Sequence, residues 1–565
     1  MRIFLFLLFF ILLLPSYITA QIPYREKAGR VERSIEETTP PPAKKEKPSF
    51  EITPSLSEEK ITTEKIKVIR FEFRGNTALP TTLLKKLVLP YEGKYLTLAQ
   101  IKEIARLITK EYLKRGYFLS YAYIPPQDVK EGVVWISVIE GRIGKIEIEG
   151  NRFYKDKFIL GYLERIKEKG IVSYHDLERP LLILDEQVKL NLKAYLRPTS
   201  QAGITDLFLK IDDAFPLRGY IDYNNFGSRY ISEHRIGLNF DWGNILGRGD
   251  ILSLRAVTGT PLIESILYHR FNYSVPLNYN GLRFGFSYAN MDYEAGKEFK
   301  ILSPKGKADI YSVYFTYPFI KRTITSLDLE IAFDYKKLRD YQLGIKTSQD
   351  SLRVLRAGFT SWHTDNLMGT NFISLYLNQG FSGILGGMKN DDDPLASREN
   401  TGGRFTKLTF DFNRTQKINN FSFLILKADS QFAFDNLVAA EQFSLGGPDS
   451  VRGYPLSEYL GDYGYNVSAE LRVKPAFLKA KIPFTNDVLS EIMQFAFFID
   501  HGGIFLKRPS LDEAKNEYLT GAGFGFRFNF NKDFYIRVDC GFPLGEKEPS
   551  TDYNNTWYVQ AVKHF

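Results

Sequence analysis

The carboxyl-terminal two-thirds of this chain, from about residue 215, consists of short segments in which apolar and polar residues alternate. Residues 235–242, 282–288 and 524–530 each place an apolar residue, most often an aromatic one, at every second position. A period of two puts successive side chains on opposite faces of a β-strand. The pattern therefore predicts many β-strands, each with one apolar face and one polar face.

Both faces of these strands need a suitable environment. A water-soluble sandwich would need a second layer over the apolar face, and no separate set of helices follows to supply it. A closed barrel in a membrane exposes that face to lipid, keeps a wet lumen and leaves no unpaired edge. The sequence therefore predicts a membrane all-β fold, an antiparallel transmembrane β-barrel of about 16 strands over residues 215–565. The terminal aromatic residue, Phe565, is the candidate barrel terminal signal.

Composition agrees with this fold and narrows the function. The 565 residues include 45 Phe and 34 Tyr, as expected where aromatic girdles mark two membrane interfaces. The net charge of +8 is small beside 74 basic and 66 acidic residues, so no nucleic-acid partner is expected. The single cysteine, Cys540, cannot form an internal disulfide. It lies in phase with apolar residues of its strand, which predicts a small hydrophobic side chain facing lipid.

The first 65 residues have two different compositions. Residues 1–20 contain the apolar run Ile3–Leu14 and are typical of a secretory leader cleaved before Gln21; the alternative is a leader retained as an anchor. Export combined with barrel strands predicts an outer-membrane location, with any amino-terminal domain in the periplasm. Residues 21–65 are a proline-rich linker, except that Tyr24–Glu37 lacks proline and predicts a short helix. Such a helix would be marginal alone in water, so it must dock on something to persist.

Residues 66–143 and 144–214 repeat one order of elements: strand, helix, helix, strand, strand. The first copy is predicted as strand Ile66–Arg74, turn Gly75–Thr77, helix Pro80–Leu89, a helix from Thr97 with a capping box to Gln100, and strands Tyr117–Ile124 and Val133–Ile139. The second copy is predicted as strand Lys145–Glu149, turn Gly150–Arg152, helices near Asp156–Lys167 and Arg179–Val188, and strands Leu190–Arg197 and Thr205–Ile211. A small sheet of this kind leaves an edge strand that can accept an extended peptide.

Two short motifs suggest a contact inside the barrel. A turn-rich segment contains Val451, Arg452, Gly453 and Tyr454, and a predicted strand contains Phe497, Asp500 and Gly502. Alternation puts Phe497 on one strand face and Asp500 on the other. If Phe497 faces lipid, Asp500 faces the lumen, where a bidentate arginine on an inward-folded loop is a natural partner. Residue chemistry alone leaves this pairing open, since any loop can hold an arginine and any wet lumen an aspartate.

Enzymatic chemistry has little support in the sequence. The six histidines show no metal-ligand spacing, and no phosphate-binding loop or nucleophile elbow is present. His501 follows Asp500, but neighbours on a strand point to opposite faces, so they cannot act as an acid–base pair. No catalytic residue, metal or cofactor is predicted.

The two barrel motifs resemble the signatures of the superfamily that includes BamA and the two-partner secretion transporters. The amino-terminal part resembles the transporters specifically, the ShlB/FhaC/HecB (TpsB) family. The matching residues are Gly116 and Tyr117, then Pro125, Pro126, Gln127 and Asp128, then Ile139–Arg142, Arg179–Pro180 and Asn224–Arg229. The resemblance implies two periplasmic POTRA domains, a 16-stranded barrel, an inward loop whose Arg452 contacts Asp500, and an amino-terminal plug helix, for which Tyr24–Glu37 is the candidate.

The function implied by this resemblance is transport of an unfolded exoprotein across the outer membrane, as in haemolysin or adhesin secretion and activation. The expected partners are a large TpsA-like client, outer-membrane lipid and, during biogenesis, the barrel assembly machinery. The region of Tyr117 and Pro125–Asp128 is the candidate site of client recognition. Two alternatives remain. A BamA-like assembly factor usually has more than two POTRA domains, and a passive porin would explain neither the repeated domains nor the arginine loop.

Overall fold

The computed structural model describes residues 26–37, 50–52, 64–260, 265–390, 393–482, 488–510, 513–530, 533–551 and 553–565. The predicted leader, residues 1–20, and most of the predicted linker lie outside the described residues. Within the described ranges, no helix is long and apolar enough to cross a membrane.

Two short elements come from the predicted linker. Helix α1 (Ala28–Glu37) forms within the proline-free stretch, and β1 (Phe50–Ile52) is a strand that the sequence analysis did not predict. Ala28, Val31 and Ile35 of α1 are almost completely buried. The helix therefore persists because it is packed against other parts of the protein, as its short length requires.

The first soluble unit contains β2 (Lys65–Lys67), β3 (Arg70–Arg74), α2 (Thr81–Val88), β4 (Tyr95–Thr97), α3 (Leu98–Lys114), β5 (Tyr121–Tyr123) and β6 (Val133–Ile139). Its main sheet has the order β3–β6–β5, with β3 parallel to β6. The capping box is confirmed: the Gln100 N–H donates to the Thr97 hydroxyl, and the Thr97 N–H donates to the Gln100 side chain.

Two strand predictions in this unit were wrong in extent. The strand predicted over Ile66–Arg74 is divided, because β2 pairs with β4 while β3 pairs with β6. The strand predicted from Tyr117 begins only at Tyr121. Gly116 ends α3 with a positive φ of 87°, and the Tyr117 N–H returns to the Tyr112 carbonyl, so the chain is still completing the helix end at this point.

The second soluble unit contains β7 (Arg142–Glu149), α4 (Asp156–Glu168), α5 (Tyr174–Asp185), β8 (Leu190–Pro198) and β9 (Ile204–Asp213). Its sheet has the order β1–β8–β9–β7, so the linker strand β1 extends this sheet in parallel with β8. Helix α5 begins five residues before the predicted Arg179, after Ser173, whose N–H and hydroxyl donate to Asp176. Proline favours a first helical turn, but Pro180 lies inside this helix.

The repeat is visible at atomic detail in the turn that follows β3 in the first unit and β7 in the second. Gly75 and Gly150 have φ of 82° and 93°, and an added Cβ would lie 2.2 and 2.3 Å from a backbone carbonyl oxygen. A carboxylate then caps each turn: Glu140 accepts from the N–H of Thr77 and Ala78, and Asp213 accepts from the three N–H groups of residues 152–154. Burial alone would raise the pKa of Glu140, but these bonds and one from Tyr112 outweigh it and lower the pKa.

The second unit is docked on strand ends and turns at one end of the barrel. Arg179 of α5 donates to the carbonyls of Pro318 and Asn280, at 2.5 and 3.0 Å. Glu178 accepts from the N–H of Thr323 at 2.6 Å. The Arg179–Pro180 motif therefore lies where the soluble part meets the barrel.

The remaining chain forms the barrel and its connections. In order, the elements are β10 (Leu217–Asn224), β11 (Arg235–Gly243), β12 (Ile251–Gly259), β13 (Ile266–Pro276), β14 (Arg283–Glu294), β15 (Lys305–Lys321), β16 (Thr325–Gln342), β17 (Ile345–Thr364), β18 (Gly369–Gly380), β19 (Phe405–Lys417), β20 (Ser422–Ala433), β21 (Phe443–Leu445), β22 (Tyr459–Gly461), β23 (Tyr463–Val473), α6 (Leu489–Ile492), β24 (Met493–Phe505), β25 (Asn516–Phe530), β26 (Phe534–Pro543) and β27 (Thr556–His564).

Sixteen of these strands, β10–β20 and β23–β27, close into an antiparallel barrel, which confirms the predicted fold class. β27 pairs with β10, and Phe565 continues this seam by exchanging two backbone hydrogen bonds with Gly219. The outer face is apolar and exposed, as at Phe497 and Ile499, whereas charged side chains face inward and are buried. Cys540 lies on the outer face, as its phase predicts, but it is only 1% exposed because it sits between its larger strand neighbours Phe524 and Trp557.

Helix α1 lies inside the barrel. Its start is capped by the wall, because Asp340 of β16 accepts from the Ala28 N–H at 2.8 Å. Near its end, Glu36 pairs with Arg270 of β13 at 2.6 Å. Contacts on several strands of the wall therefore hold the helix across the lumen.

Candidate functional site in the barrel lumen

The segment between β20 and β23 folds back into the lumen, and we call residues 434–462 the inward loop. The short strands β21 and β22 pair within it, and its tip is the turn-rich segment 446–454. Val451 and Tyr454 are completely buried in a cluster with Leu445, Ile504 and Leu519. Apolar packing therefore holds the tip against the wall on both sides of Arg452.

Two glycines of the predicted motifs allow this close approach. Gly453 has a φ of 105°, and a Cβ there would lie 2.8 Å from the backbone of Phe542. A Cβ at Gly502 would lie 2.4 Å from the Leu445 side chain. A larger residue at either position would push the loop away from the wall.

Arg452 and Asp500 are in direct contact. The Asp500 carboxylate accepts from Arg452 Nε at 2.8 Å, from Nη2 at 2.9 Å and from the Arg452 backbone N–H at 3.1 Å. Asp500 has no exposed surface and Arg452 is 4% exposed. The guanidinium also stacks 3.3 Å from the ring centroid of Phe498. This is the forked, stacked geometry that favours arginine over lysine.

Arg452 has further partners that the sequence analysis missed. Its Nη1 donates to Glu470 of β23 at 2.6 Å, and Asp539 of β26 lies 3.6 Å from the same nitrogen. Arg527 of β25 bridges Glu470 and Asp539, at 3.2 and 2.6 Å. All three occupy inward-facing strand positions, so alternation along each strand could have predicted that they face the lumen. Only the register between strands shows that they meet one another.

The other predicted barrel residues lie where alternation places them. Phe497 is 53% exposed on the outer face, away from the Arg452 contact. His501 bonds to Tyr465 at 3.1 Å and Thr520 at 2.9 Å, on the face opposite Asp500. The lumen contact is therefore an ion-pair cluster rather than an acid–base pair. Among the described residues, no group of three His, Cys, Asp or Glu side chains is arranged to hold a metal.

The candidate client-recognition residues lie at one edge of the first soluble unit. Gln127 donates to the Trp135 carbonyl and accepts from the Trp135 N–H, both at 2.8 Å. Its side chain thus takes the place of a strand beside β6, just beyond the point where β5 ends. Pro126 and Asp128 are exposed, and Tyr117 packs on Tyr112 with ring centroids 6.0 Å apart.

Comparison with known proteins identifies the family. The sequence model of the haemolysin secretion/activation protein ShlB/FhaC/HecB matches residues 203–528, and that of the ShlB-type POTRA domain matches residues 66–141. The chain belongs to the ShlB/FhaC/HecB family. Among its relatives is the heme/hemopexin transporter protein HuxB of Haemophilus influenzae, which is 24% identical over 515 residues, covering 88% of this chain and 87% of HuxB.

A second relative is the outer membrane transporter CdiB of Escherichia coli O6:K15:H31, 22% identical over 414 residues, covering 72% of this chain and 68% of CdiB. The structure of CdiB from Escherichia coli superposes with a TM-score of 0.73 at 18% identity, covering 91% of this chain and 93% of that chain. As a ShlB/FhaC/HecB protein, the chain is an outer-membrane secretion transporter with its POTRA domains in the periplasm. The family also implies a secreted exoprotein as partner.

Proposed function

We propose that this transporter recognises an unfolded exoprotein through its POTRA domains and passes it through the barrel lumen to the cell surface. The observation that carries the proposal is that α1 and the inward loop, which are not strands of the barrel wall, both lie inside the lumen. A passive porin has no use for two such obstructions. A transporter needs them, because its pore must be closed until a client arrives.

The sheet of the second POTRA domain supports recognition by strand addition. Its β8 edge already accepts β1, with Phe50, Glu51 and Ile52 in parallel register with residues 194–196. An extended client segment would make the same backbone bonds along this edge. The region of Tyr117 and Pro125–Asp128 remains the predicted recognition site in the first domain, where Pro126 and Asp128 are exposed to a client.

Transport by this route requires no nucleotide or catalytic residue. The client would thread through the lumen when α1 and the inward loop move aside, and it would fold outside. Folding at the surface removes the unfolded chain from the equilibrium and so gives the movement its direction. The contact between Arg452 and Asp500 would hold the loop in its resting position.

The direct test is Arg452→Ala in cells that express a candidate client. The first candidate to try is a large exported β-helical protein encoded by a reading frame next to that of this chain. We expect secretion to be abolished while a heat-modifiable barrel remains in the outer membrane. Arg404→Ala is the matched control, since Arg404 is an exposed arginine in another loop. Normal secretion by Arg452→Ala would contradict the proposal.

Recognition can be tested separately by deleting residues 66–143. We expect the variant without the first POTRA domain to lose binding to an unfolded amino-terminal fragment of the client in a pull-down. Retained binding would move recognition away from the first POTRA domain. Loss of many unrelated outer-membrane proteins in a deletion strain would instead favour a BamA-like assembly factor, and steady channels independent of any client would favour a porin.

A further inference from the structure

The tip of the inward loop carries a second charged residue, Asp449, three positions before Arg452. Its carboxylate accepts from Arg537 Nη1 of β26 at 2.7 Å, and Arg537 Nη2 donates to the neighbouring Pro448 carbonyl at 2.5 Å. One wall arginine thus holds both a side chain and the backbone of the loop. The Arg537 side chain is 12% exposed and that of Asp449 is 40% exposed.

This contact has the opposite polarity to the first. In one, a loop cation meets a wall anion; in the other, a loop anion meets a wall cation. The wall joins them, because Arg537 Nε donates to Asp539 at 2.7 Å and Asp539 continues through Arg527 to Glu470. Glu470 is itself a partner of Arg452. The two loop residues are therefore linked through the wall by a continuous chain of alternating charges.

The charges of this cluster balance. The loop tip supplies one anion and one cation, Asp449 and Arg452. The wall supplies three of each sign, namely Glu470, Asp500 and Asp539 with Arg472, Arg527 and Arg537. Withdrawal of the loop tip therefore leaves no net charge on the wall. Because an uncompensated buried charge is costly, this balance lets the second ion pair hold the tip without leaving a net charge on the wall when the tip departs.

We infer that Asp449 and Arg537 form a second latch, which positions the inward loop and helps to set how often it leaves its seat. The inference rests on the proposed function only in taking the loop as a moving part. Neither residue was singled out by the sequence analysis, since an aspartate in a turn is common and its partner lies 88 residues away.

The test measures loop departure directly, in the full-length barrel. Val451 is completely buried, so Val451→Cys in a Cys540→Ser background should react with a maleimide only when the tip leaves the wall. We expect Asp449→Asn and Arg537→Gln each to raise the labelling rate about fivefold, the size expected for a partly exposed ion pair. The double variant should label no faster than the faster single variant, since both changes remove the same ion pair.

Arg472→Gln is the matched control. Arg472 belongs to the same cluster and its change removes the same charge, but it donates to the wall residue Glu470. We expect its labelling rate to stay within about twofold of the parent, because the contact of Arg472 lies within the wall. All variants are compared as heat-modifiable, folded barrels.

Three outcomes would overturn the second latch: unchanged labelling in both single variants, multiplied effects in the double variant, or an equal effect of Arg472→Gln, which would indicate net charge alone. These outcomes are distinct from a failure of the transport proposal. That proposal is tested by secretion with Arg452→Ala, whereas the labelling assay involves no client.

Discussion

The inward loop and helix α1 occupy the same lumen but are held by different kinds of contact. The loop is held by buried ions, with Arg452 forked on Asp500 and paired with Glu470. The helix is held by apolar packing of Ala28, Val31 and Ile35 and by separate polar contacts. Those contacts include the hydrogen bonds from Ala28 to Asp340 and from Arg30 to Ser457. Its ion pair between Glu36 and Arg270 is more than a third exposed.

The difference indicates which of the two elements leaves the lumen first. Removing one partner of a buried ion pair costs about 3–5 kcal/mol, whereas a single intramolecular hydrogen bond contributes about 0.5–1.5 kcal/mol. These hydrogen bonds of the helix can be replaced one at a time by water entering the lumen. Contacts of the loop must be exchanged together. We therefore expect α1 to leave the lumen more readily than the inward loop.

The largest expected effect is that of Arg452→Lys. Lysine keeps the charge but cannot make the fork on Asp500 or stack on Phe498, so we expect secretion to fall nearly as far as in Arg452→Ala. Arg33→Lys is the control in α1, where one nitrogen donates to backbone carbonyls and a lysine can do the same. Near-normal secretion by Arg452→Lys would mean that a point charge is enough to seat the loop.

Gly29→Ala should have the next largest effect, on the helix. A Cβ at Gly29 would lie 2.3 Å from Ala440 of the inward loop and 2.5 Å from Leu338 of the wall. Alanine favours helix by about 1 kcal/mol over glycine, so a helix limited by its own stability would hold better. We expect the reverse: overpacking of about 1–3 kcal/mol should raise channel opening in planar bilayers roughly tenfold.

The double variant Gly29→Ala with Ala440→Gly sharpens this experiment, because it moves the methyl group from the loop to the helix. We expect it to restore most of the closed state. Fewer openings in Gly29→Ala, or no rescue in the double variant, would show that the helix is not seated on the loop at this point.

Asp340→Ala should have a smaller effect on the same measurement. It removes the cap of α1, a loss of about 1 kcal/mol, which corresponds to roughly fivefold more frequent opening. Ser348→Ala is the control, since it removes another bond to Asp340 and leaves the cap in place. Asp340→Asn keeps an acceptor and should behave like the parent. Equal opening in Asp340→Ala and the parent would show that this cap does not stabilise the closed channel.

Ser457→Ala should have the smallest effect. It removes the hydrogen bond by which Arg30 of the helix touches the inward loop, worth about 0.5–1.5 kcal/mol. We expect a change of about two- to threefold in channel opening, the lower end of that range, and none in maleimide labelling at residue 451. A large change in both would mean that helix and loop move as one unit and that the contrast between them is wrong.

Sequence reasoning recovered the features that depend on period and direction. A period of two identified the barrel, and strand alternation placed Asp500 in the lumen and His501 outside it. Contacts that depend on register between distant strands were out of reach, as with Glu470 and Asp539 around Arg452. The pairing of Arg452 with Asp500 was expected only through the family resemblance, because chemistry alone left it open.

Short elements were missed for a different reason. Strand β1 has three residues inside a proline-rich stretch, and it exists because β8 offers an edge, so no local pattern marks it. The early start of α5 likewise depends on Ser173 and Asp176, while Pro180 suggested a later one. Local signals failed where a neighbouring element decided the structure.

The pairing of β1 with β8 tethers helix α1 to the second soluble unit. Residues 38–49 join the end of α1 to the start of β1, and a chain of that length spans at most about 45 Å. While β1 stays on the sheet of the second soluble unit, a helix that has left the lumen remains within that distance of the sheet. Its return is then an intramolecular event at an effective concentration on the order of millimolar, independent of how many transporters the membrane contains.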